Sequence, residues 1–224
     1  VKLTASLSTE EKCPKGKVAC LWIPVPETDA NGSQTVSPSS IKYTAKHATE
    51  LKITTDSAGN KALYVKWDEN TDPKDRTVDF SFNVVRREII RPANMQALEK
   101  GTVDKEKMAP YLKETKRSGS LTSGIVKETA DKIVKDAHST TVYQKAYAIY
   151  DWVCENLRRD NSTPAIGSGD VQYILKNTDK GIGKCTDVNA VFVALCRAEG
   201  IPARSVYGLK LNAMIDNPNT PYVQ

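Results

Sequence analysis

Histidine is nearly absent from this chain. Its 224 residues contain two, His47 and His138. That scarcity excludes a histidine-rich metal centre and leaves few candidates for a general base. No two of the five cysteines (Cys13, Cys20, Cys154, Cys185, Cys196) have the C-x-x-C spacing of a zinc or dithiol redox site. No metal-ligand cluster, phosphate-binding loop or dinucleotide fingerprint occurs, so neither a metal nor a cofactor is expected. No apolar run approaches the roughly 20 residues that a membrane-spanning helix needs. No block of like charge stands out either. The net charge is +5, but basic and acidic residues are interspersed. The densest cluster, Arg86-Arg87-Glu88-Ile89-Ile90-Arg91, itself holds an acid. It reads as a solvated strand end and not as a nucleic-acid face, because nucleic-acid binders gather charge on one side.

What is present describes a globular protein. Hydrophobic residues make up 39% and charged residues 26% of the chain, enough to bury one large core or two small ones. The first residue is Val1 and not Met, which fits a targeting segment already removed. An exported protein, periplasmic, secreted or at the cell surface, is the expectation. With Cys185 set aside, four cysteines remain for up to two bridges or none. Cys13 and Cys20 are the candidates for a bridge in an exported protein. Cys154 and Cys196 fall on apolar helix faces and read as core packing.

The first ninety or so residues read as β-structure. Val18-Ala19-Cys20-Leu21-Trp22-Ile23 is a short apolar run stopped by prolines, and Asn31 to Ser40 reads as a polar loop. Ala62-Leu63-Tyr64-Val65-Lys66-Trp67 follows a Gly-Asn turn. Thr77 to Val84 alternates, with Val78, Phe80, Phe82 and Val84 on one face and Asp79, Ser81 and Asn83 on the other, the period of a half-buried strand. A β-sandwich over residues 1–91 is expected. Residues 92–124, broken by Gly101, Pro110, Gly119 and Gly124, read as a connecting segment with one or two short helices.

From Ile125 the period changes to that of a helix. Ile125, Ala130, Ile133, Val134 and Ala137 form one stripe. Thr141 and Gln144 match a capping box, and Val142, Ala146, Ile149, Val153 and Leu157 recur after them. Tyr143, Tyr147, Tyr150 and Cys154 form an adjacent row, so this helix reads as largely buried, with the tyrosines and Trp152 in the core. Asp170 caps a shorter helix carrying Val171, Ile174 and Leu175. Ser205 to Leu211 reads as a strand.

The chemistry concentrates at Gly181-Ile182-Gly183-Lys184-Cys185-Thr186-Asp187. A glycine-hinged loop there delivers Cys185 to the first turn of an apolar helix, which Gly200 ends and Pro202 forbids from continuing. A thiol at that place meets the positive end of the helix dipole and uncommitted backbone N–H groups. Both favour thiolate, the nucleophilic form. Asp187, in the same first turn, reads as complementing the dipole. His47 and His138 both precede Cys185, and neither reads as its partner. His138 reads as a surface residue near a helix C-terminus.

Gly183-Lys184-Cys185-Thr186-Asp187 with Ala190, Leu195-Cys196-Arg197-Ala198 and Gly200-Ile201-Pro202-Ala203-Arg204 resembles the core motif of the transglutaminase-like superfamily in its bacterial branch. Ala146 to Val153 resembles the helix ahead of that motif. Trp22-Ile23-Pro24-Val25-Pro26, Gly59-Asn60 and Val85-Arg86-Arg87-Glu88 look like the β domain that precedes it in some exported members. The resemblance implies an α+β fold: an N-terminal β-sandwich, then a helix-rich papain-like or transglutaminase-like core over 125–224, its sheet incomplete in this chain. It implies Cys185 as the nucleophile of acyl transfer or amide hydrolysis on a protein or peptide substrate, peptidase or amidase more than cross-linking. In the family a His and then an Asp follow the cysteine on successive strands. No residue of 186–224 is a histidine, so neither partner carries over, and truncation ahead of them is the expectation. These residues alone are then expected to be inactive. The alternative is a non-catalytic binding or scaffold module with a degenerate fold of this type. Arg204 is expected to order its strand through a carboxylate pair.

Overall fold

The computed structural model describes residues 1–6, 13–29, 32–57, 59–89, 94, 97, 99–160, 162, 167–178 and 183–208. The chain divides into two compact units, Val1–Pro92 and Ala93–Gln224. The architecture is α+β, with strands in the first unit and helices in the second.

Among the described residues, the first unit has eight strands: β1 (Lys2–Ser6), β2 (Ala19–Pro24), β3 (Gln34–Val36), β4 (Lys42–Ala45), β5 (Glu50–Thr55), β6 (Lys61–Trp67), β7 (Thr77–Ser81) and β8 (Val84–Arg86). They form three small antiparallel sheets, ordered β1-β7-β4, β2-β6-β5 and β3-β8. The two central strands carry the core. On β6, Leu63, Val65 and Trp67 are buried, and on β7, Val78 and Phe80 are, as the two-residue period requires. Side chains of this size each stabilise the fold by about 1.5–3 kcal/mol when buried. The alternation read over Thr77 to Val84 holds on its inner face, where Phe82 is buried too. β7 ends at Ser81, with Phe82 still exchanging backbone hydrogen bonds with Val1, and β8 joins a different sheet. The Trp67 indole N–H donates to the Lys46 carbonyl (2.7 Å), closing the turn after β4 onto β6. The stretch read as a polar loop contains β3 and a 3-10 turn, Pro38–Ser40. Cys13 and Cys20 are free thiols, and the Cys20 Sγ lies 3.4 Å from the Tyr64 hydroxyl.

Among the described residues, the second unit has four α-helices: α1 (Gly124–Asp136), α2 (Val142–Asn156), α3 (Val171–Leu175) and α4 (Cys185–Ala198). Their core includes Val126, Ala130, Ile133, Ile149, Val153, Val171, Ile174, Val191, Leu195 and Cys196. α4 is the central element, with fully buried Val191 and Leu195. Its far end is tied in twice. Arg197 donates from Nε and Nη2 to the Ala203 carbonyl and from Nη1 to the Lys113 carbonyl. The Glu199 carboxylate, 5% exposed, accepts from Lys127 of α1 (3.2 Å) and Lys145 of α2 (2.8 Å).

Three sequence expectations fail in this unit. α2 is not largely buried: Tyr147 and Tyr150 are 53% and 55% exposed, and Cys154 is exposed as well. Only Ile149 and Val153 of α2 are fully enclosed. Residues 205–208 are not in a strand, while 209–211 lie outside the described residues. Arg204 is held over the Tyr111 ring (5.8 Å) and not by a carboxylate. Trp152, as expected, packs against the core.

Candidate active site

Cys185 is the first residue of α4, with Lys184 as the N-cap. Gly183 precedes it at φ +116°, a conformation that costs glycine little and strains other residues. The turn into the helix therefore depends on that glycine. Gly181 and Ile182 of the motif lie outside the described residues. Cys185 is half-buried, so its thiol is neither sealed into the core nor fully in water. Among the described residues, no hydrogen bond engages the N–H of Cys185 or of Thr186. The next two amides, of Asp187 and Val188, donate to the Lys184 carbonyl (both 3.0 Å). The start of α4 thus presents two uncommitted backbone donors beside the sulfur.

The walls of this site come from three loops. The Asp160 N–H donates to the Gly183 carbonyl (2.7 Å). The Gly169 N–H (2.7 Å) and the Ser168 hydroxyl (3.4 Å) donate to Asp187 Oδ1. The Arg117 carbonyl accepts from the Val171 N–H (3.1 Å), bringing the 115–118 turn to the start of α3. Asp187 also accepts from the Lys184 N–H (2.8 Å) and is 2% exposed. The sequence located Asp187 in the first helical turn; its burial and its reach to residues 168–169 were not readable there.

The other cysteine of α4 has a contrasting environment. Cys196 is buried in the core, and burial pushes its thiol up to about 12, so it is inert as a nucleophile at neutral pH. Cys154, on the exposed side of α2, lies beside Tyr150 and raises the titration of that phenol. His138 follows α1 in a left-handed conformation (φ +50°) and lines a shallow recess with Tyr143, Tyr147 and Asp151. His47 belongs to the β-rich unit, also at positive φ (+54°). Neither histidine makes a described hydrogen bond to Cys185. Among the described residues no group of His, Cys, Asp or Glu is arranged to hold a metal, and no helix is long and apolar enough to cross a membrane.

Residues 127–220 match the sequence model of the transglutaminase-like superfamily. The chain is 38% identical over 199 residues to an uncharacterised protein of Haemophilus influenzae, a match covering 86% of this chain and 50% of the relative. It thus spans half the length of that curated relative. A crystal structure from Parabacteroides distasonis, of a protein provisionally assigned as a protease, aligns with 83% of this chain and 32% of its own. Its TM-score is 0.31 and its identity 16%.

Proposed function

We propose that this chain carries the nucleophile of a thiol-dependent enzyme acting on amide bonds, hydrolysing peptide or side-chain amides more than cross-linking them. The observation that carries the reading is Cys185 at the first position of α4, half-buried, with its own N–H and that of Thr186 uncommitted. In the proposed reaction the Cys185 sulfur attacks the amide carbon. The carbon–nitrogen bond breaks, the amine leaves with a proton, and a thioester remains. Water then cleaves the thioester, giving a carboxylic acid and the free thiol. The negative oxygen formed in each step is met by the Cys185 N–H, a donor fixed before reaction. The match of residues 127–220 to the superfamily model supports the reading, as does the contrast with Cys196, which the fold has sealed away. The general base is assigned to neither His47 nor His138, and the activity proposed is that of the full-length protein.

The test uses the full-length protein and a peptide-amide library read by mass spectrometry. Cys185→Ala is expected to abolish turnover, while Cys154→Ala and Cys196→Ala keep it. Turnover that survives Cys185→Ala overturns the proposal. A second measurement follows alkylation by iodoacetamide residue by residue. Cys185 is expected to react at least about tenfold faster than Cys154 near neutral pH.

A further inference from the structure

Asp187 is a buried carboxylate that the proposed chemistry does not use. Its donors are neutral: two backbone amides, of Gly169 and Lys184, and the Ser168 hydroxyl. Among the described residues no cation pairs with it. Two glycines close over it. A Cβ at Gly167 would overlap the carboxylate, and one at Gly183 would lie 2.5 Å from the Asp187 Cβ. Both glycines hold positive φ, +97° and +116°. A capping box accounts for the bond from the Lys184 N–H, but it requires neither burial of the carboxylate nor its bonds to Ser168 and Gly169. The buried carboxylate does something further: it joins residues 167–169 to Lys184, the residue next to Cys185. With the Asp160 amide on the Gly183 carbonyl, the loops and the first turn of α4 form one hydrogen-bonded body that carries the thiol.

We propose that Asp187 is a positioning residue: its carboxylate holds the 167–169 loop and the Lys184 amide against the start of α4. It thereby fixes Cys185 with its backbone donors free. The inference rests on the reading of Cys185 as the nucleophile. Two effects of the carboxylate oppose each other. Its charge repels a thiolate two residues away, and the turn it orders stabilises that thiolate. In this proposal the ordering outweighs the repulsion.

Asp187→Asn separates the two effects. It keeps the size and removes the charge, and its amide nitrogen must face an N–H, donor against donor, so one tie is lost. Alkylation by iodoacetamide is followed for each cysteine in full-length protein. Near neutral pH the variant's Cys185 is expected to slow about tenfold, with Cys154 unchanged and the deficit closing at strongly alkaline pH, where thiolate is no longer scarce. Cys185 that reacts at the same rate or faster overturns the proposal, because repulsion or nothing then governs. Buried Cys196 reports on the fold and must stay protected. If Cys196 becomes reactive, hydrogen exchange in the unsubstituted protein decides the matter. The Gly169 and Lys184 amides are expected to be protected relative to those of Cys185 and Thr186, and equal exchange overturns the proposal. Slow alkylation of Cys185 in the unsubstituted protein, with those amides protected, removes the nucleophile reading and leaves the tie standing.

Discussion

At the residue scale, Glu199 shows what a single buried charge does in this fold. Its carboxylate follows the last turn of α4 and accepts from Lys127 and Lys145, whose side chains are partly screened from water. Asp131 bonds Lys127 as well (2.5 Å), and the Lys127 ammonium is held above its ordinary range by Asp131 first and Glu199 second. Glu199→Gln keeps the shape and leaves two ammonium groups converging on a neutral amide. The expected cost is about 2 kcal/mol, well above that of a surface pair, because removing one member of a buried set strands the other. Urea unfolding of the variant checks this; a loss below about 0.5 kcal/mol would place Glu199 with ordinary surface charges. Glu199 was invisible in the sequence, where it is one acid among many. Cys154 and the tyrosines failed differently. A helix row of Tyr143, Tyr147 and Tyr150 is apolar enough for a core, but each ring ends in a hydroxyl that water satisfies equally well. Which arc of α2 faces inward is decided by α1 and α4, and a single helix cannot report it.

At the scale of elements, local chemistry was legible wherever backbone groups are satisfied by near neighbours. The capping box of α2 is one case. The Thr141 hydroxyl oxygen accepts from the Gln144 N–H (3.2 Å), and Gln144 Oε1 accepts in return from the Thr141 and Thr140 amides (3.3 and 2.9 Å). The Thr141 hydroxyl also donates to Glu99 (2.8 Å). Thr141→Ala is expected to destabilise the helical unit by about 1 kcal/mol, near the middle of the range for N-cap removal. Thermal unfolding followed at 222 nm checks it, and an unchanged midpoint would mean that packing alone holds the start of α2. The start of α4 was legible on the same grounds, from Gly183, Cys185 and Asp187. Asp187's partners at Ser168 and Gly169 were not, since they lie nearly twenty residues earlier in sequence. Long-range satisfaction also explains why the strand reading fails over residues 205–208. Its alternation is a local signal, but a strand exists only where another edge pairs with it. β7 and β8 make the complementary point. The alternation runs unbroken from Thr77 to Val84, yet pairing partners split the run between two sheets.

At the scale of the whole molecule, the charge pairs predict how stability depends on pH. Each pair lies inside one unit. In the β-rich unit Glu50 bonds Lys52 (2.8 Å) and Lys66 (3.3 Å), which lower its carboxyl. In the helical unit Asp131 is lowered chiefly by Lys127, and Asp136 chiefly by Lys132. A carboxyl lowered in the folded state contributes stability above its unfolded value and loses it as pH falls through the folded one. Unfolded carboxyls titrate at about 3.9–4.3. All three losses therefore fall below about pH 4, and both units weaken there. Lys127 has the opposite sign. Its raised ammonium stabilises below the unfolded lysine value of about 10.4 and loses that contribution as pH rises beyond it. The expected profile is a plateau from about pH 5 to about pH 8.5, above which an unfolded cysteine ionises while buried Cys196, pushed up to about 12, does not, with a falling arm on each side. Glu50 and Asp136 are exposed, so their share is small and screened by salt. Raising ionic strength to about 1 M is expected to flatten the contribution of these exposed pairs to the acid arm. The alkaline arm begins with buried Cys196 and above about pH 10 also draws on the partly buried Lys127–Glu199 contact; both are expected to persist. Differential scanning calorimetry across pH at two salt concentrations tests both arms. A loss above about pH 10 that shrinks with salt would show that the Lys127 set is solvated, and it would remove the basis for the Glu199→Gln penalty as well.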